Sequence, residues 1–116
     1  MTSVARPPPF IGPIRGGKGK SRTIGLSMST RIHITVSGAV QGVGFRPFVY
    51  GLATRAGLAG FVLNEPRGVT IELEGPREAI GVFLAELESS PPPLARIERI
   101  ETRETAPLGE SGFRIR

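Results

Sequence analysis

Hydrophobic residues recur with two different periods over residues 31–116, and the changes between them outline the elements. Ile32, Ile34 and Val36 alternate with His33, Thr35 and Ser37, the period of a strand with one buried face. Phe45, Val49, Leu52, Ala53 and Ala56 instead form a helical stripe, which predicts a helix over 47–56. Pro47 suits its first turn, where a missing N–H costs nothing, and Gly57 suits its stop. Gly60 to Asn64 is short and apolar. Glu65-Pro66-Arg67-Gly68 then reads as a turn into Val69, Ile71 and Leu73, which alternate with Thr70, Glu72 and Glu74, so a hairpin is expected. Pro76 opens a second helix with Ile80, Phe83, Leu84 and Leu87 on one stripe, ended by Ser90 and the prolines 91–93. Ile97 to Thr105 predicts a strand of poorer alternation, bulged at Arg99, and Phe113 and Ile115 a short last strand.

The order is βαββαβ with an extra terminal strand. Two helices with one apolar stripe each must pack on one face of the sheet, leaving the other to solvent or a partner. The expected fold class is α+β, a ferredoxin-like split βαβ sandwich with an antiparallel sheet and both helices on one face.

Composition adds a boundary. Residues 1–30 are rich in Pro, Gly and Ser without an apolar period, as in Arg6-Pro7-Pro8-Pro9, and read as a disordered basic tail before a domain over 31–116. A translation start at Met28 is a second account of that stretch. The net charge of +5 resides in the tail, because residues 31–116 hold ten arginines and ten glutamates. The globular part is balanced, and Val69 to Glu74 carries no aromatic residue for base stacking, so no nucleic acid is expected as partner. Gly19-Lys20-Ser21 is not a P-loop, since Ile14 stands where that motif needs glycine. No apolar run approaches about twenty residues, so no transmembrane helix or membrane partner is expected. The absence of cysteine excludes thiolate chemistry and fits a cytoplasmic location. A single histidine, His33, argues against a histidine-rich metal site or a Ser-His-Asp triad, and no metal or other cofactor is expected.

The candidate chemistry lies in Val40-Gln41-Gly42-Val43-Gly44-Phe45-Arg46, between the first strand and the first helix. Two glycines permit a tight turn and close approach to a ligand. The first N–H groups of a helix have no intrahelical acceptor, and the helix dipole is positive there. Arg46 adds a planar fork of donors suited to phosphate oxygens. Gln41, Gly42, Val43, Gly44, Phe45 and Arg46 are therefore the candidate phosphate cradle. Asn64, at the end of the second strand, has two readings: a turn residue bonded to its own backbone, or a functional group.

Val36-Ser37-Gly38-Ala39-Val40-Gln41-Gly42-Val43-Gly44-Phe45-Arg46 resembles the acylphosphatase signature throughout. Gly60-Phe61-Val62-Leu63-Asn64 with Gly68 is similar to a second motif of that family, departing from it at Leu63 and after Gly68. The resemblance implies hydrolysis of a carboxyl–phosphate anhydride, with Arg46 binding the phosphate and Asn64 positioning the attacking water. Pro47-Phe48-Val49-Tyr50 and Pro92-Pro93-Leu94-Ala95-Arg96-Ile97 look most like the amino-terminal acylphosphatase-like domain of the hydrogenase maturation carbamoyltransferases of the HypF type. That likeness implies carbamoyl phosphate as the small-molecule substrate and other domains of a larger maturation enzyme as partners. A free-standing acylphosphatase and a non-catalytic phosphate-binding or docking domain remain the alternatives.

Overall fold

A computed structural model describes residues 29–116; the sequence expectations for residues 1–28, including a start at Met28, lie outside the described residues. The elements are β1 (Thr30–Ala39), α1 (Phe45–Arg55), β2 (Ala59–Glu65), β3 (Gly68–Gly75), α2 (Arg77–Ser89), β4 (Arg96–Thr105) and β5 (Phe113–Ile115). They form one sheet in the order β4-β1-β3-β2-β5. Four strands are antiparallel to their neighbours, the ferredoxin-like split βαβ arrangement, and β5 joins the β2 edge in parallel, which makes the sheet mixed.

The alternation read from the sequence decides which face is covered. Ile32, Ile34 and Val36 of β1, Val62 of β2, and Val69, Ile71 and Leu73 of β3 are buried in one cluster with Phe45, Val49, Leu52, Ile80, Phe83 and Leu87 of the helices. Both helices therefore lie on one face. α1 ends in a Schellman motif: Gly57 has φ 71°, its N–H reaches Thr54 O (3.1 Å), and Leu58 N reaches Ala53 O (2.9 Å). That tight reversal feeds the chain directly into β2.

Two strand and helix starts and one bulge depart from the periodicity for a local reason. β1 begins at Thr30, inside the stretch assigned to the tail, because Thr30 pairs with Gly75. α1 begins two residues early, at Phe45, because Gly44 takes left-handed dihedrals (φ 79°, ψ 18°) and its carbonyl accepts from Phe48 N–H at 3.2 Å. The β4 bulge is displaced as well: Ser37 pairs with Arg99 and Gly38 with Ile97, leaving Glu98 as the extra residue, one position before Arg99.

The face opposite the helices is not wholly open. Arg31 is only 1% exposed and Glu74 5%, because the connection from β4 to β5 crosses over them. Glu74 accepts from the N–H groups of Leu108 (2.9 Å) and Gly109 (2.8 Å) and from Arg31 Nη1 (2.8 Å). Arg31 also reaches Glu72 (2.8 Å) and Glu110 (3.2 Å), and His33 Nδ1 donates to the second Glu72 oxygen at 2.7 Å. Burial alone would raise both glutamates, but the bonds from Leu108, Arg31 and Gly109 hold the Glu74 carboxyl below the usual carboxylate range. His33 and Arg31 do the same for Glu72. His33 lies on the sheet face away from the cradle helix, as the alternation predicts.

Candidate active site

The loop between β1 and α1 is shaped by two glycines and latched by one glutamine. Gly42 (φ 74°) and Gly44 (φ 79°) occupy the left-handed region that side-chain-bearing residues avoid. The Gln41 amide donates to the carbonyls of Glu65 (2.5 Å) and Gly68 (2.8 Å), tying the loop to both sides of the β2–β3 turn. Phe45 is buried and stacks at a tilt on Phe48, centroids 6.1 Å apart, which anchors the far end of the loop in the core. The turn itself needs Gly68: a Cβ there would stand 2.1 Å from the Val36 carbonyl oxygen.

Among the described residues, none of the main-chain N–H groups from Gln41 to Arg46 meets a main-chain acceptor. No side chain caps α1, and no acidic residue occupies its first turn. The helix thus presents unpaired donors at its positive end, and Arg46, half-buried in the same turn, adds its guanidinium. Arg46 Nη1 donates to the main-chain oxygen of Arg116 at 3.3 Å, a long bond that engages one donor and leaves the others of the fork available.

Two contacts bracket Asn64. Arg116 N–H bonds to Val62 O (2.8 Å), so the acceptor of Arg46 sits beside Val62, while Gln41 reaches residue 65. Asn64 lies between those positions, shares the helix-side face with Val62, and pairs across the sheet with Val69, itself opposite Val36 of β1. The Asn64 Oδ1 is buried and meets no donor. An unpaired buried oxygen costs about 1–3 kcal/mol, so it calls for a water or ligand group as partner. A turn asparagine would have bonded to its own backbone, and this one does not.

The predicted cradle residues therefore run from the β1–α1 loop into the first turn of α1, with Asn64 on β2, one strand beyond β3. What the sequence reading missed is the Gln41 side chain, which serves as a latch rather than facing a ligand, and the contact between Arg46 and the β5 end. Neither has a signal in local periodicity. The described residues hold no group of three or more His, Asp or Glu side chains arranged to bind a metal.

Strand order, helices on one face and a glycine loop opening the first helix define an α+β sandwich with unpaired main-chain donors at the mouth of that helix. The chain belongs to the acylphosphatase family, whose model matches residues 32–115. It is similar to the carbamoyltransferase HypF of Rhizobium leguminosarum bv. viciae, with 51% identity over 85 residues, covering 73% of this chain and 11% of that protein. It is also similar to the acylphosphatase of Thermus thermophilus, with 41% identity over 86 residues, covering 73% of this chain and 97% of that protein. Among solved structures, full-length HypF in its phosphate- and nucleotide-bound form matches with TM-score 0.74 and 39% identity, over 75% of this chain and 12% of that one. The chain thus spans about a tenth of its carbamoyltransferase relatives and nearly all of a free-standing acylphosphatase. Among the described residues, no helix is long and apolar enough to cross a membrane.

Proposed function

We propose that this domain hydrolyses carboxyl–phosphate anhydrides, with carbamoyl phosphate as the favoured substrate. The observation that carries the reading is the row of unpaired N–H donors from Gln41 to Arg46 at the uncapped start of α1, beside the Arg46 guanidinium. Such a cradle suits a phosphoryl group whose equatorial oxygens gain stabilisation as the bond to the leaving carboxylate loosens. Asn64 supplies the second element, a buried oxygen without a donor, which would accept from the attacking water and orient it toward phosphorus.

The reaction asks little else of the protein. Water oxygen forms a bond to phosphorus, the bond from phosphorus to the acyl oxygen breaks, and the electron pair leaves with the carboxylate (carbamate from carbamoyl phosphate). The water proton passes to an oxygen of the transferred phosphate. Neither Arg46 nor Asn64 is a general base, and no nucleophilic side chain is required. Preorganised donors and an oriented water are the whole apparatus.

Acetyl phosphate and benzoyl phosphate hydrolysis by the chain tests the proposal. Turnover inhibited competitively by inorganic phosphate is the expected result, and absence of turnover at saturating substrate overturns it. The coverage of the carbamoyltransferase relatives favours a second reading, in which the cradle handles carbamoyl phosphate as the amino-terminal module of a longer maturation enzyme. Phosphate binding without turnover would favour that role.

A further inference from the structure

We infer that the Arg31–Glu74–Glu110 cluster, on the face of the sheet remote from the cradle, is a clamp that sets the position of the Arg46 guanidinium through β5. The inference rests on the assignment of Arg46 to phosphate binding, and it concerns how that side chain is held.

The route is continuous. Glu74 accepts from the N–H groups of Leu108 and Gly109, and Arg31, gripped by Glu72 and Glu74, holds Glu110 at 3.2 Å. Three successive residues of the β4–β5 connection are thereby fixed to β1 and β3. Gly112 O then accepts from Gly60 N–H at 3.0 Å, and β5 runs parallel to β2 from the pair Gly60–Phe113 to the pair Val62–Ile115. Arg116 N–H continues that ladder to Val62 O, its guanidinium lies 4.1 Å above the Phe61 ring centroid, and its main-chain oxygen accepts from Arg46.

A strand of three residues on a sheet edge has few bonds of its own to define where it sits. Its entry is set by the clamp and its exit holds Arg46. Ring contact between Phe113 and Tyr50 of α1, with centroids 6.2 Å apart, carries the same strand against the helix that bears Arg46. Arg31 and Glu74 act on the phosphate only through these intermediaries, so they are positioning residues.

The test uses Glu110→Ala, which removes one half-exposed clamp contact and leaves Arg31 two other partners, so folding is retained. The readouts are the Arg46 side-chain Nε–H resonance, assigned by its loss in Arg46→Lys, and the affinity for inorganic phosphate. The expected result is a shifted resonance with phosphate binding weakened about twofold to thirtyfold, the range for substitutions that modulate coupling at a distance. A merely structural role would lower thermal stability while leaving both readouts in place, and that outcome overturns the clamp. A shifted resonance with unchanged phosphate affinity upholds the clamp on Arg46 and removes only its effect on affinity. If the parent chain binds no phosphate, its Arg46 resonance ignores added phosphate and the assignment of Arg46 fails. The clamp is then decided by the Glu110→Ala shift alone.

Discussion

Arg46 donates to the main-chain oxygen of Arg116 at 3.3 Å, which places a cation at the mouth of α1 under the control of the β5 edge. The bond is long and uses one donor of the fork, so the remaining donors stay open to an anion in the loop. A planar fork already oriented loses little freedom when it engages phosphate.

Arg46→Ala is expected to abolish phosphate inhibition and to lower turnover by roughly 10²–10³ or more, the scale for losing one preorganised charge-stabilising donor. Arg46→Lys should recover little, because a point charge cannot reproduce the bidentate fork. Steady-state hydrolysis of benzoyl phosphate with a phosphate inhibition series measures both; near-normal values would remove Arg46 from the mechanism.

For Asn64 the proposed role predicts an effect on turnover apart from stability. Its Oδ1 is buried without a donor, so Asn64→Ala removes a desolvation penalty rather than a bond. Turnover should fall while phosphate affinity and melting temperature hold. A variant that chiefly loses stability would return Asn64 to the role of a turn residue.

Gln41→Ala breaks both bonds that fasten the loop to the β2–β3 turn. The expected loss of stability is about 1–2 kcal/mol, from two hydrogen bonds at a largely exposed side chain. Phosphate affinity should weaken in parallel as the donors lose their common aim. Urea unfolding and phosphate titration of the same preparation check the pair of effects.

Gly68→Ala should be more severe. Its Cβ would meet a main-chain oxygen at 2.1 Å, so β1 and β3 must separate at the end that carries the cradle. A loss of about 2–4 kcal/mol is expected, readable as a fall in the urea midpoint.

Acid should weaken the fold through the clamp. Glu72 and Glu74 are held below the ordinary carboxylate range when folded, so the unfolded chain binds protons first as pH drops. Their contribution is fully present well above the unfolded glutamate value of about 4.3 and is lost as pH falls from there through the lower folded values. Melting temperature followed from pH 7 to pH 3 should decline below about pH 5, and less steeply in Glu74→Gln. A flat profile would mean that the cluster contributes no charge-linked stability.

Period and punctuation within single segments carried much of this protein. The alternation of Ile32, Ile34 and Val36, the stripe from Phe45 to Ala53, Gly57 as helix stop and the Pro66–Arg67 turn are all consequences of local geometry, which a sequence displays directly. The glycine loop proposed as the cradle was legible for the same reason, since adjacent residues build it. Other features depend on residues far apart in the chain meeting in space. The parallel docking of β5 on β2, the latch from Gln41 to Glu65 and Gly68, the burial of Arg31 under Leu108 to Glu110, and the placing of Asn64 between the contacts of Gln41 and Arg46 belong to that kind. Hydrogen bonds and ion pairs across such separations leave no period in the sequence. Residue order determined a glycine loop opening the first helix on a split βαβ frame, and tertiary structure decided what holds its arginine, because only the closed sheet brings Arg116 to Arg46.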